Sequence, residues 1–258
     1  MDHDDYLDVL ADETARFARI ATTAPMSASV PSCPEWTTAD LLWHLAEVQY
    51  FWARIAGEVA DPEQVPDLAR PADEHLMAVL EEQTLSLLHA LRSRRPEEWC
   101  WSWDERGESI GWVARRQAHE ALIHRVDAEL VAGTEVGGCP APLAADGVDE
   151  MLRVFLDGVP SWGSFDPDDR TARLVASDTG DIWSVVFGRF RGTSPHSGTT
   201  YDDDALTVVE DRADAEATVT GSAWDLDRWL WGRVDASGLT VEGDRALADR
   251  LRKLASIE

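Results

Sequence analysis

The spacing of apolar residues changes once along this chain, near residue 140, and that change constrains the fold more than any other feature. Up to residue 133, apolar side chains return every three to four positions, which is typical of amphipathic helices. Beyond Pro140, after one more helical segment, they fall in short runs bounded by Gly, Asp or Ser, which is typical of strands. The pattern predicts an α+β protein with two domains, residues 1–138 and 139–258.

The first domain is predicted to contain four long helices joined by loops. Thr37 and Asp40 form a Ser/Thr-x-x-Asp/Glu capping signature before a long apolar run. Asp73 is a candidate N-cap for the third helix, and Gly133 is a candidate stop for the fourth. Four such helices predict a four-helix bundle. The expected helices are Asp4–Ile20, Leu41–Gly57, Asp73–Leu91 and Ile110–Ala132, with a Pro- and Ser-rich loop at Pro25–Pro34.

The second domain is predicted to be a small α+β unit. A helix over Leu143–Leu156 precedes five β-rich runs: ARLVAS, IWSVVFG, ALTVVED, ATVTGS and GLTVEGD. Two short helices are expected at Ala223–Trp231 and Arg245–Leu254, and Ser222 with Asp225 repeats the capping signature before the first of them.

The charge balance excludes several classes of partner. The 258 residues include 23 Lys and Arg against 49 Asp and Glu, a formal net charge of −26. Nucleic acids and anionic membrane surfaces need a basic footprint, and none is concentrated here. No apolar run approaches the roughly 20 residues that span a bilayer, and the acidic N-terminus does not resemble a secretory signal. We expect a cytoplasmic protein that binds neither nucleic acid nor membrane.

A carboxylate and an imidazole stand four residues apart on the fourth predicted helix. Glu120 and His124 in RRQAHEALIHRVDAEL therefore project side by side, as two ligands for one divalent cation would. A surface hydrogen bond between the two explains the same spacing. Asp127, three residues further on, is a candidate partner for the His124 ring, or for a neighbouring arginine such as Arg116. His119 points about 100° away from Glu120, so it is interpreted either as a packing residue or as a residue that supports the ligands without binding the metal.

His44 lies in the strongly apolar stretch LLWHLAEV of the second predicted helix. In one interpretation it is a core histidine with its hydrogen bonds satisfied. In the other, a bundle brings His44 opposite Glu120 and His124 and completes a two-histidine, one-carboxylate set, which leaves a catalytic zinc ion with an open position.

Other chemistries find little support in the sequence. There is no nucleophile elbow, Walker loop or dinucleotide fingerprint, and the three cysteines lack a C-x-x-C pair. Cys33 precedes Pro34 at the start of a helix, where a thiol can be activated, but a structural role is the simpler interpretation. Trp101 and Trp103 either fill the core or line an apolar pocket.

Three stretches resemble the mycothiol-dependent maleylpyruvate isomerase family. VPSCPEWTTADLLWHLAEVQYFWARIAG (Val30–Gly57) is similar to the family's Cys-Pro-x-Trp motif and the helix that follows it. RRQAHEALIHRVDAEL (Arg115–Leu130) is similar to its Glu-x-x-x-His-Arg-x-Asp helix. ATVTGSAWDLDRWLWGRVDASGLTVEGDRALADRLRKL (Ala217–Leu254) is similar to its C-terminal domain. The resemblance implies a DinB-like helical domain followed by a sterol-carrier-like domain.

The resemblance also implies a site and a chemistry. His44, Glu120 and His124 match the family's zinc ligands, and mycothiol would be the thiol cofactor or co-substrate. The family uses an arginine of its second domain, for which Arg228 and Arg233 are the candidates. The implied partners are this small thiol and a small electrophile, which the enzyme isomerises or conjugates to sulfur, in a monomer or homodimer. Zinc is expected from the ligand types, although other divalent transition metals accept the same set.

Two alternatives use the same residues. One is a catalytically idle metal- or ligand-binding module that keeps the bundle for stability. The other is a thiol-independent metallohydrolase, in which water takes the open position.

Overall fold

The α+β, two-domain class is confirmed by the computed structural model, which describes residues 1–57, 59–104 and 106–256. The chain forms two compact units, Met1–Gly137 and Gly138–Glu258, the first helical and the second built on a sheet. Within the described residues, no helix is long and apolar enough to cross a lipid bilayer.

Four long helices make up most of the first unit. They are α1 (His3–Ala21), α2 (Thr38–Gly57), α3 (Leu76–Arg92) and α4 (Ile110–Val131). One apolar cluster joins the starts of α1 and α4 to the ends of α2 and α3, and a second cluster joins their opposite ends. Helices α1 and α4 therefore run in one direction and α2 and α3 in the other, so α2 is antiparallel to α4.

Local hydrogen bonds explain where α2 begins. The Thr37 hydroxyl accepts from the Asp40 backbone N–H, and the Asp40 carboxylate accepts from the Thr37 N–H at 2.9 Å, which is the predicted capping box of α2. The prediction that Asp73 caps the third helix is wrong. Asp73 lies in a 3₁₀ turn (Asp73–His75) ahead of α3, and its carboxylate lies 3.7 Å from Nη2 of Arg70 instead.

A short hairpin replaces much of the loop predicted at Pro25–Pro34. Strand β1 (Ser29–Val30) pairs antiparallel with β2 (Cys33–Thr37), which leads directly into α2. The side chain of Val30 is fully buried in the second cluster, and this burial anchors the hairpin against the helices. Because a two-residue strand is too short to show alternation, its sequence reads as a loop.

The second unit contains a five-stranded sheet with helices packed on it. Helix α5 (Ala141–Glu150) continues into a single π-helical turn, Met151–Leu156. The strands are β3 (Gly163–Ala176), β4 (Ile182–Thr193), β5 (Thr200–Val209), β6 (Ala217–Gly221) and β7 (Thr240–Gly243). Their order is β5-β4-β3-β6-β7, and only the β3–β6 pair is parallel. The two short helices occur as predicted, as α6 (Ala223–Leu230) and α7 (Arg245–Leu254).

Strands β3, β4 and β5 extend well beyond their predicted apolar runs. The extensions are largely exposed and charged, so they carry no alternating apolar signal. Opposite charges face each other across the β4–β5 pair instead: Arg189 lies opposite Asp204 and Arg191 opposite Asp202. Arg189 Nε also donates to Asp202 at 2.7 Å. Such cross-strand ion pairs hold the strands together without a buried face.

Candidate metal centre

The three predicted ligands converge between α2 and α4. Nε2 of His44, on α2, lies 3.2 Å from Oε1 of Glu120, and Nε2 of His124 lies 3.1 Å from the same oxygen. One candidate ligand atom from each residue falls within 4.8 Å of the other two. Two imidazole nitrogens and one carboxylate oxygen at these separations fit a divalent transition metal.

The helices themselves produce this convergence. Glu120 and His124 are one turn apart and share a face of α4, while the antiparallel α2 brings His44 from the opposite side. The side chains of Glu120 and His124 are 14% and 8% exposed, whereas that of His44 is 30% exposed. The cluster therefore opens to solvent on the His44 side.

Asp127 and Ser32 hold the ring of His124. Nδ1 of His124 lies 2.9 Å from Oδ2 of Asp127, and the Ser32 hydroxyl donates to Oδ1 of the same carboxylate at 2.5 Å. A proton on Nδ1 shared with Asp127 leaves the Nε2 lone pair directed at the cluster. Of the two roles that the sequence suggested for Asp127, the contact with the His124 ring is therefore present.

Arg116 fixes the other oxygen of Glu120. Its Nη2 donates to Oε2 at 2.7 Å, and the arginine is almost fully buried. One carboxylate oxygen is thus engaged by Arg116 while the other faces the two histidines. From the sequence, Arg116 was predicted only as an alternative partner of Asp127. Its spacing of four residues from Glu120 also predicts an ion pair with Glu120 on the same helix face.

The ring of Trp36 covers the two histidines. Its centroid lies 4.6 Å from that of His44 and 6.2 Å from that of His124. Trp36 belongs to β2 and to the Cys-Pro-x-Trp motif that the sequence analysis noted. Because the hairpin itself was not predicted, the sequence did not assign Trp36 to the site.

The electrostatics of the cluster favour a cation. Burial raises the pKa of Glu120, but the neighbouring His124 charge, the hydrogen bonds from both histidines and Arg116 outweigh burial and hold it well below its usual range. Burial lowers the pKa of His124, yet Glu120 and Asp127 outweigh it and raise that pKa to about 9. The same carboxylates that stabilise a proton on His124 would stabilise a metal cation.

Two family models cover most of the chain. The mycothiol maleylpyruvate isomerase N-terminal domain matches residues 7–129, and the MDMPI C-terminal domain matches residues 142–250. The chain belongs to the mycothiol-dependent maleylpyruvate isomerase family.

Solved structures share the fold of this family member. It is similar to a crystal structure of the mycothiol-dependent maleylpyruvate isomerase, with a TM-score of 0.63, 16% identity and 95% of each chain covered. A histidine-to-alanine mutant of the mycothiol-dependent maleylpyruvate isomerase gives a TM-score of 0.63 at 15% identity, again over 95% of each chain. No curated protein matches the sequence.

The two arginines that the family resemblance suggested lie in the second unit. Arg228, on α6, donates to Asp225 at 2.5 Å and lies over the Trp224 ring at 5.2 Å. Arg233, after α6, donates to the Trp231 carbonyl at 2.6 Å. These contacts orient both side chains within their own unit, and their role as substrate anchors stays a prediction.

The remaining candidates of the first unit make ring contacts outside the ligand cluster. His119 is buried, with its ring edge-on to Tyr6 of α1 at 6.4 Å, as its packing interpretation requires. Trp101 and Trp103 join an aromatic cluster around Trp52, with ring centroids 6.0 Å and 5.4 Å away from it.

Proposed function

We propose that this chain is a metal-dependent enzyme that uses mycothiol to isomerise, or to conjugate to sulfur, a small electrophilic substrate. The observation that carries the proposal is the convergence of His44, Glu120 and His124 in a member of this family. When bound there, a divalent metal ion, zinc by ligand type, supplies a Lewis acid that lowers the pKa of a thiol so that it reacts as a thiolate at neutral pH.

The surrounding residues prepare the site for that chemistry. Asp127 keeps the His124 ring in one tautomer, and Arg116 keeps Glu120 in one orientation. Trp36 covers one side of the histidines and excludes water there. The exposed side of His44 is left as the approach for the thiol.

A thiolate can act in two ways here. In an isomerase it adds to one carbon of an electron-poor cis double bond, and the electron pair moves to the neighbouring carbonyl. After rotation about the resulting single bond, return of the pair expels the thiolate and leaves the trans product. In an S-transferase the new carbon–sulfur bond is kept. An anionic substrate would need a positive anchor in this acidic protein, and Arg228 and Arg233 are our candidates.

The proposal includes a cytoplasmic location. The described residues contain no disulfide, although the chain has three cysteines, which suits a reducing compartment. A thiol cofactor also has to stay reduced to react.

Metal analysis tests the ligand set. We expect about one equivalent of zinc in the wild-type protein and a loss of most of it in His44→Ala and in His124→Ala. The matched control is His89→Ala, an exposed histidine of α3, which should keep its metal. Retention of zinc by both ligand variants would show that the ligand assignment is wrong.

The reaction is tested by incubating the metal-loaded protein with mycothiol and a panel of cis-enoates and alkylating electrophiles, followed by mass spectrometry. A thiol adduct indicates a transferase, and an isomerised product without an adduct indicates an isomerase. Turnover that does not depend on the thiol would favour the metallohydrolase. Silence across the panel would favour the idle module.

A further inference from the structure

A cavity of about 370 Å³ lies beside α2, within the first unit. Its walls include Val48, Phe51 and Trp52 from α2 and Val65, Pro66 and Leu68 from the segment that follows the helix. This volume is in the range of small-molecule sites, and such sites are mostly apolar. The metal ligands are not among its lining residues.

The cavity continues along the helix face that carries His44. Val48 and Phe51 follow His44 by four and seven residues, which places them about 40° and about 20° from it around α2. They lie about 6 Å and about 10 Å further along the axis. Because helical side chains lean toward the N-terminus, both lean toward His44, which is the exposed ligand.

The charged residues at the cavity favour uncharged ligands over anionic ones. The only charged lining residues among those described are two exposed carboxylates, Glu47 and Asp67. The guanidinium of Arg54 packs over the Tyr50 ring at 5.1 Å and is not part of the lining. Carboxylates at the rim repel anions and leave uncharged apolar groups unaffected.

We propose that this cavity binds the uncharged aromatic or aliphatic part of the electrophile and presents its reactive end toward His44. The proposal rests on the proposed thiol chemistry for the identity of the ligand as an electrophile. It assigns to this chain an apolar electrophile in place of the anionic substrate considered above.

Binding of two related fluorescent probes to the purified protein, with its metal and without thiol, tests the cavity. N-Phenyl-1-naphthylamine is uncharged, and 8-anilinonaphthalene-1-sulfonate carries the same ring systems with an added sulfonate. We expect the uncharged probe to bind at least about tenfold more tightly. Replacing both rim carboxylates, in Glu47→Gln/Asp67→Asn, should narrow this ratio, while Glu81→Gln/Glu82→Gln on the exposed face of α3 should leave it unchanged.

Variants that fill the cavity with a larger side chain provide a second test of the proposal. Val48→Trp should weaken binding of the uncharged probe at least about tenfold, whereas Leu85→Trp, at an exposed apolar position of α3, should not. Val65→Trp fills the cavity from the other wall if Val48→Trp does not fold. Absence of binding, or equal binding in the filled variants, would overturn the proposal.

The two proposals fail separately. Loss of probe binding in a variant that retains its zinc counts against the cavity and leaves the metal centre standing. Conversely, probe binding together with no thiol-dependent turnover would count against the proposed chemistry and keep the cavity as a ligand site. In an active enzyme, the uncharged probe should compete with an apolar electrophile and raise its KM without lowering kcat.

Discussion

His124 is held in place by a chain of contacts that begins outside its own helix. Ser32, in the turn of the β1–β2 hairpin, donates to Asp127, and Asp127 in turn holds the ring of His124. Partners of this kind set the tautomer and the direction of a ligating histidine. The hairpin therefore supports the proposed metal centre although it supplies none of the proposed ligands.

Asp127→Asn should weaken zinc binding by about 10–100-fold, because an amide is a poorer partner than a carboxylate for the ring N–H. Ser32→Ala should have a smaller effect in the same direction. Competition with a chromophoric chelator measures both, with Asp235→Asn, an exposed position of the second unit, as control. Wild-type affinity in Asp127→Asn would contradict this role.

The sequence allowed prediction of the residues whose relation is local. Glu120, His124 and Asp127 share one helix, where spacing alone fixes which side chains are neighbours. His44 required the further assumption of a bundle. Ser32 and Trp36 reach the cluster through a hairpin whose position depends on packing across the whole unit, so no local pattern assigns them.

Helix α4 also carries a buried network of charges. Arg125 donates to Glu13 of α1 at 2.8 Å and to Glu129 at 2.6 Å, and Arg16 of α1 lies 2.9 Å and 3.6 Å from the same two carboxylates. Arg125 is fully buried. The network therefore joins α1 to α4 within the same helix that supplies two of the proposed ligands.

Removing the central charge of this network should be costly. Arg125→Met leaves two buried carboxylates with less compensation, and we expect the free energy of unfolding to fall by about 3–5 kcal/mol. Arg95→Met, which removes an exposed arginine with its own carboxylate partners, should lower the free energy of unfolding much less, because exposed ion pairs contribute little. Urea denaturation compares the two, and equal losses would show that burial does not matter here.

The capping box of α2 predicts a pH dependence. Hydrogen bonds from the Thr37 hydroxyl and backbone N–H, together with Arg70, lower the pKa of Asp40 from 3.8 to about 2. A depressed carboxyl pKa stabilises the fold above the unfolded value, and this contribution is lost as the pH falls through the folded value. Asp40 therefore stabilises the protein at neutral pH and stops doing so in strong acid.

Asp40→Asn should lower the free energy of unfolding at pH 7 by about 0.5–1 kcal/mol. The difference from wild type should shrink as the pH falls from 3.8 to about 2 and Asp40 becomes protonated. Asp12→Asn, at an exposed position of α1, is the control and should change little. A difference that persists unchanged in acid would show that the carboxylate charge is not responsible.

The elements that the sequence predicted best are those with one apolar face. Helices α1, α2 and α3 and the two short ones near the C-terminus have such a face, whereas α4 is buried on nearly every side. The charged extensions of β3 and β5 do not, because ion pairs to the neighbouring strand stabilise them, and the two-residue β1 is too short to show one. Asp73 shows a related limit: a nearby arginine competes for the carboxylate that would cap the helix.

The whole molecule carries far more acid than its bases can neutralise. The 23 basic residues can neutralise fewer than half of the 49 acidic charges, and a net charge of −26 remains. Repulsion among like charges lowers the stability of the compact state, and salt screens it.

Raising NaCl from about 20 to about 200 mM at pH 7 should therefore raise the Tm by a few degrees, roughly 2–4 °C per kcal/mol of relieved repulsion. Differential scanning calorimetry measures the shift. Near pH 5, closer to the pI of about 4.4, the gain should be smaller because the net charge is smaller. A Tm that falls with salt would show that attractive ion pairs outweigh the repulsion.

His44 and Glu120 stand 76 positions apart in sequence and 3.2 Å apart in space. A metal ion bound by both residues would cross-link α2 to α4 and close a loop of the chain that contains the whole of α3. A metal ion that binds only the folded chain would stabilise the fold, and a chelator that takes the ion away would remove that stabilisation. Resistance to heat and to proteases would then report whether a metal ion occupies the proposed metal centre.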